Sequence, residues 1–121
     1  MFEELQKSIS GEIKFDEETL ATHSKDASLF KVVPKAVVFP KDAKDVMSVV
    51  KYVSDNKKSD PTLSVTARSA GSCMAGGSLN ESIILDGMAH MNGIISFDRE
   101  GGNSSVTVLP GTFYRDFEKE T

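Results

Sequence analysis

The 121-residue sequence holds one cysteine, no tryptophan, four prolines and two histidines. Cys73 alone closes no intramolecular disulfide, which excludes a disulfide-stapled secreted scaffold. His23 and His90 stand too far apart to define a metal site without further ligands, so no metal is expected. Long apolar runs are missing too. The longest, Ala36-Val37-Val38-Phe39 and Ile83-Ile84-Leu85, fall far short of the ~20 residues that span a bilayer. The opening stretch MFEELQKSISGEIKFDEE mixes charged with apolar side chains and contains no signal-peptide core. Basic charge is not in excess: 14 Lys and Arg against 18 Asp and Glu leave a formal charge of −4. The electrostatic footprint of a duplex-binding domain is therefore absent. These absences predict a soluble, cytoplasmic chain without a nucleic-acid partner.

What is present is ordinary for a domain that buries a core: 39% hydrophobic and 26% charged residues. The length suits one domain or a piece of one. Phe2, Leu5 and Ile9 recur at spacings of three and four behind Glu3 and Glu4, predicting a short amphipathic helix that Gly11 ends. A helical turn over residues 16–20 follows, then a polar loop over 21–28.

From Pro34 the elements alternate. Residues 36–39 form a continuous apolar run between Pro34 and Pro40, the pattern of a strand buried on both faces. Asp42 is placed to cap a helix with Asp45 three residues on, and Ala43, Val46, Met47, Val49, Val50 and Val53 give it a wide apolar stripe. Residues 63–66 are β-branched enough for a second strand, so residues 36–66 have the order and length of one βαβ unit with a parallel sheet. A short apolar run over 82–86 follows. Residues 94–98 and 105–109 predict a hairpin turned by Gly101-Gly102-Asn103. Thr112 is expected to cap a last helix with Phe113 and Phe117 on one face. That apolar face, uncovered at Thr121, predicts an incomplete domain that self-associates through Leu109, Phe113 and Phe117; the alternative is a complete small domain whose last helix docks on its own sheet.

The chemistry lies in residues 66–78, Thr-Ala-Arg-Ser-Ala-Gly-Ser-Cys-Met-Ala-Gly-Gly-Ser, which follow a predicted strand and contain no acidic side chain. Three glycines and several small residues let successive amides turn inward and a phosphate come close. Gly71, Gly76 and Ser78 fit a Walker A loop, but Gly77 stands where its lysine belongs. No glycine lies two after Gly71, so the Rossmann fingerprint fails as well. The loop suits holding a diphosphate rather than breaking one. Taken alone it reads rather as a tight turn, since single glycine-rich motifs commonly are.

Its neighbours favour the cradle. In order stand Asp26-Ala27-Ser28-Leu29-Phe30, Pro34-Lys35-Ala36-Val37-Val38-Phe39-Pro40, the 66–77 loop, Ile83-Ile84-Leu85-Asp86 and Pro110-Gly111. Together these resemble the FAD-linked oxidases and dehydrogenases of the vanillyl-alcohol oxidase type, in particular the glycolate oxidase and D-lactate dehydrogenase branch, over roughly residues 22–121. The resemblance implies an α/β (α+β) fold of the PCMH-type FAD-binding class, truncated. Residues 1–30 would be an N-terminal helical segment, 31–90 the first FAD-binding subdomain and 91–121 the beginning of the second. It implies that Arg68, Ser69, Ala70, Gly71, Ser72, Cys73, Met74, Gly76 and Gly77 cradle the FAD diphosphate, with Pro110 and Gly111 near the flavin ring. Ser69 stands where the family has glycine, and Cys73 where it has serine. Ser72 stands where some relatives carry a flavin-tethering histidine, which implies non-covalent FAD.

The activity implied is oxidation of a 2-hydroxy acid such as D-lactate or glycolate by a longer parent. The parent's substrate domain is missing here, peripheral membrane association of the parent is allowed, and the 121-residue chain is expected to be inactive alone. Two other readings stay open: a non-catalytic nucleotide-binding or assembly module on the same fold, and an FAD-dependent reductase such as the cell-wall precursor reductase. No catalytic residue is identified. Arg68 reads as a diphosphate ligand or a surface ion pair, Cys73 as a small packing residue, and His23 as a partner in stacking or a local hydrogen bond. His90 lies in an exposed connection.

Overall fold

The computed structural model describes residues 2–121. Its elements are α1 (Glu3–Ser8), β1 (Glu12–Lys14), α2 (Glu17–Thr22), β2 (Ala36–Phe39), α3 (Ala43–Asn56), β3 (Val65–Arg68), β4 (Ile83–Asp86), β5 (Ile94–Asp98), β6 (Ser105–Val108) and α4 (Tyr114–Glu120). Strands β1 to β4 form one sheet in the order β1-β2-β4-β3, and β5 pairs β6 in a separate antiparallel ribbon. β4 runs parallel to both β2 and β3.

β4 is central and all four of its residues are buried, as are Ala36, Val37 and Val38 of β2. Strands covered on both faces are continuous apolar runs, which is why both were visible in sequence. The order of strands was not. The expected βαβ unit exists, with parallel strands, but β4 inserts between β2 and β3, so the strands joined through α3 are not neighbours. The second strand also starts two residues later than expected. Leu63 turns into the core at 3% exposure, Ser64 gives its amide to Ser82 Oγ, and the ladder opens at Val65 opposite Ile83.

Asp42 caps α3 by accepting from the Asp45 amide at 3.0 Å. The core-facing stripe is narrower than expected: Met47 and Val50 are 63% and 50% exposed, while Val46, Val49, Tyr52 and Val53 face inward. At 3.6 residues per turn, Val50 lies about 100° and Met47 about 160° round the helix from the buried Val49. Asp45 occupies the buried face instead. Its carboxylate accepts from the amides of Ser10, Gly11 and Lys41 at 2.8, 2.9 and 2.9 Å, which ties the N-terminal segment to the start of α3.

Strand β1 was not expected. It pairs antiparallel with β2, Ile13 opposite Val38. Three residues are too few to show a period of two, and the pairing depends on Gly11, where a Cβ would collide with the Phe39 carbonyl. Gly11 thus serves the entry to β1, one turn beyond the end of α1. Phe2, Leu5, Ile9 and Ile13 share one cluster with Val38, Val49, Ile83 and Leu85, so α1 and β1 pack into the same core as the sheet.

The hairpin forms where expected. The last helix does too, but Thr112 does not cap it: Phe113 is the residue before α4 and makes no side-chain cap. The Thr112 hydroxyl accepts from the Gly93 amide at 2.9 Å and donates to the Leu109 carbonyl at 2.7 Å, closing the base of the hairpin. Among the described residues no helix is long and apolar enough to cross a membrane.

Candidate functional site at the carboxyl ends of the parallel strands

β2, β3 and β4 end side by side at Phe39, Arg68 and Asp86, the edge at which parallel sheets bind ligands. A cavity of about 280 Å³ opens there, lined by Pro40, Val46, Arg68, Leu85, Met91 and Pro110 among others. Arg68 and Pro110, widely separated in sequence, face the same space.

The loop after Arg68 is shaped by two glycines. Gly71 and Gly76 adopt φ of +67° and +80°, and no non-glycine residue described has positive φ. Ser69 therefore takes an ordinary backbone conformation, and its place in a family glycine position brings no strain. Successive amides of residues 70–74 donate to no acceptor within the described chain. Farther along the loop the Cys73 sulfur accepts from the Gly77 amide at 3.3 Å. The Ala75 amide, then those of Gly77 and Gly76, hold this thiol below its ordinary value. Cys73 thus ties the loop's second half together, a role its size alone did not reveal.

Arg68 forms no ion pair among the described residues. Its Nη1 is buried without a hydrogen-bond partner, and the guanidinium lies against Gly71, where any Cβ would displace it. A buried cationic N–H left unpaired is costly, and the group that satisfies it must be an acceptor, preferably an anion.

Two further contacts hold this arrangement. Asp26 accepts from the Ser28 amide at 2.8 Å and the Ser78 hydroxyl at 3.1 Å, fastening the far end of the loop. The Ser28 bonds chiefly, with Ser78 and the Arg68 charge, hold its carboxyl below the ordinary value. Phe30 packs on Gly76. On the other side, the Gly87 amide donates to the Arg68 carbonyl at 3.0 Å, and the Gly111 amide to the Met91 carbonyl at 2.8 Å. A Cβ on Gly111 would strike the Gly87 carbonyl, so Pro110-Gly111 is pressed against the turn after β4. Buried His23 bonds Asp86 at that turn, Nε2 to Oδ2 at 2.7 Å. His90 is exposed, its Nε2 3.5 Å from Glu12 Oε1.

Arg68, Ser69 and Pro110 therefore line one cavity, and Ala70, Gly71, Ser72, Cys73, Met74, Gly76 and Gly77 lie on the loop that leaves its rim. Gly111 sits behind Pro110, against Gly87. Sequence reading passed over Asp26, Ser78, Asp86 and Gly87 as site residues. The Asp-Ala-Ser motif and the aspartate closing β4 were visible, but their partners were not. Unpaired amides, a buried unpartnered guanidinium nitrogen and two left-handed glycines together fit a bound diphosphate.

A family profile described as an FAD binding domain matches residues 34–121. D-2-hydroxyglutarate dehydrogenase of Escherichia coli (strain K12) is 37% identical over 81 residues, covering 67% of this chain and 8% of that protein. The enzyme of the same name from Pseudomonas putida is 33% identical over 90 residues, 74% of this chain and 9% of that protein. The chain thus spans less than a tenth of the length of these curated relatives. Among solved structures, 6-hydroxy-D-nicotine oxidase from Arthrobacter nicotinovorans superposes with a TM-score of 0.67 at 26% identity, over 93% of this chain and 24% of that one. Alkyldihydroxyacetonephosphate synthase superposes with a TM-score of 0.62 at 20% identity, over 89% of this chain and 21% of that one, a likeness of fold. With its mixed α/β layout and its small parallel sheet, the chain belongs to the FAD-binding-domain family of the vanillyl-alcohol oxidase type.

Proposed function

We propose that Arg68 to Gly77 hold the diphosphate of FAD and that Pro110 and Gly111 stand beside its ring, in a parent flavoenzyme that oxidises a 2-hydroxy acid. The observation that carries this reading is Arg68 Nη1, buried and unpartnered, beside the acceptor-less amides of residues 70–74. Phosphate oxygens satisfy both groups at once, because each phosphate presents several acceptors and the guanidinium can grip two of them. Gly71 and Gly76 let the backbone approach where side chains would block it. Nothing at Ser72 tethers the ring, so binding is non-covalent.

FAD supplies the acceptor for a hydride from the substrate carbon. The residues of this chain bind and orient; none is assigned as a base. The relatives' names support D-2-hydroxyglutarate as the substrate, which shares the 2-hydroxy-carboxylate group of the lactate and glycolate expected from sequence. This chain corresponds to less than a tenth of those relatives and turns over none of these acids alone.

Fluorescence titration of the chain with FAD tests the reading. Binding that weakens about tenfold or more in Arg68→Ala, and flavin released into the supernatant on acid precipitation, support it. A wild-type chain that leaves flavin fluorescence unchanged overturns it. A longer polypeptide containing this chain should reduce an electron acceptor with D-2-hydroxyglutarate faster than with D-lactate or glycolate.

A further inference from the structure

We infer that His23 is a positioning residue for the flavin end of the site: through Asp86 it sets the place of Gly87, the joint between the two segments proposed to hold FAD. The inference rests on the FAD reading above and goes beyond it, since His23 touches neither segment.

His23 closes the C-terminal end of α2 and is 7% exposed; Asp86 ends β4 and is 8% exposed. The imidazole is held at both ends. Nδ1 lies 2.8 Å from the Thr19 carbonyl oxygen, which can only accept, so Nδ1 carries hydrogen. Nε2 lies 2.7 Å from Asp86 Oδ2, a contact that also requires a proton between the two atoms. The ring stands edge-on to Phe39 at 5.8 Å, which fixes its plane. Water has little access to either side chain and cannot replace a lost partner.

The other oxygen of Asp86 accepts from the Met88 amide at 2.7 Å and so shapes the turn that follows β4. Gly87 lies in that turn between the two. Its amide reaches back to the Arg68 carbonyl, and its carbonyl accepts from the Met91 amide at 2.9 Å while abutting Gly111. The position of Pro110-Gly111 relative to Arg68 therefore passes through Gly87. The phosphate loop has separate fastenings, Ser78 on Asp26 and Gly77 on Cys73. Removing the His23 donor frees the Asp86 carboxylate and shifts the Gly87 joint, moving the wall at Pro110-Gly111 while leaving the loop intact. A ligand with a diphosphate and no flavin should not register the change.

The test compares FAD with ADP, by calorimetric titration of the wild-type chain, His23→Phe and His23→Gln, with thermal melts alongside. His23→Phe keeps a ring against Phe39 and loses both ring nitrogens; His23→Gln offers an N–H toward Asp86. The expected result is that His23→Phe binds FAD about tenfold more weakly and shifts the bound-flavin absorption, while ADP stays within about twofold. His23→Gln recovers most of the FAD loss. Equal weakening of both ligands, no change in either, or no recovery in His23→Gln overturns the inference and leaves the FAD reading standing. A wild-type chain that binds neither ligand overturns the FAD reading, and one that binds ADP but not FAD overturns the flavin end of it; both remove the inference too. If His23→Phe fails to fold, Asp86→Asn, which keeps the shape and weakens both of its contacts, carries the same comparison of ligands.

Discussion

The Ser78 hydroxyl donates to the Asp26 carboxylate at 3.1 Å, joining residues 52 apart in sequence across the mouth of the glycine-bearing loop. Asp26 belongs to the Asp-Ala-Ser segment and Ser78 to the end of the glycine-bearing loop, so one bond ties together two of the ordered motifs. Ser78→Ala should loosen the loop without touching the ligand. The expected outcome is an FAD affinity lower by about three- to tenfold, read by fluorescence titration, with a thermal midpoint close to the wild type.

Gly71 and Gly101 have nearly the same backbone, φ of +67° and +63°. Alanine at either residue should destabilise the chain by about 1 kcal/mol through left-handed strain. They differ in surroundings: nothing lies within 4 Å of a Cβ at Gly101, whereas one at Gly71 would meet the Arg68 guanidinium. Gly71→Ala alone should weaken FAD binding, with Gly101→Ala as the control for strain. Urea melts and FAD titrations of the pair check this, and equal FAD affinity in both variants would count against Arg68 as a ligand.

Burial would push the Asp45 carboxyl up, but the amides of Lys41 and Ser10, the Ser10 hydroxyl and the Gly11 amide outweigh it and hold the group below its ordinary 3.8. A carboxyl lowered by folding contributes stability above its unfolded value and loses it as pH falls through the lower folded one. Asp45→Asn keeps one acceptor oxygen but turns an NH2 group toward the amides that the other oxygen served, and should cost about 2 kcal/mol at neutral pH. The wild-type advantage in urea melts should stay level from pH 7 to about pH 5 and shrink below 3.8.

The ribbon of β5 and β6 leaves Ile95 60% and Phe97 50% exposed, and Phe113 beside α4 is 48% exposed. Two strands alone are marginal in water, and an uncovered apolar groove favours association. Light scattering across a concentration series should show self-association of this chain, reduced in Phe97→Lys. A monomer at every concentration would contradict this.

Much of the fold was legible because its causes are local. The run 36–39 is apolar on both faces, Asp42 stands one residue before a period of 3.6, and Asp16 caps α2 by accepting from the Thr19 amide at 2.9 Å. The left-handed Gly71 and Gly76 of the loop were readable for the same reason: a positive φ has to shed the side chain, and that constraint is written residue by residue.

What sequence could not supply are relations between distant residues. Nothing in the run 83–86 says that it slides between the two strands joined by α3, since parallel neighbours are chosen by which faces bury best together. Thr112 looked like a helix cap because threonine commonly is one; the carbonyl of Leu109 and the amide of Gly93 were closer to its hydroxyl. His23 and Asp86 are 63 residues apart, and only the folded chain makes them neighbours. Composition and short-range pattern were enough to name most of the elements and to single out the glycine-bearing loop, because burial period, caps and turn glycines act over a few residues. Which strands touch, and which buried side chains lock the loop and the Pro110-Gly111 wall into one site, came from the packed core, where each contact depends on all the others.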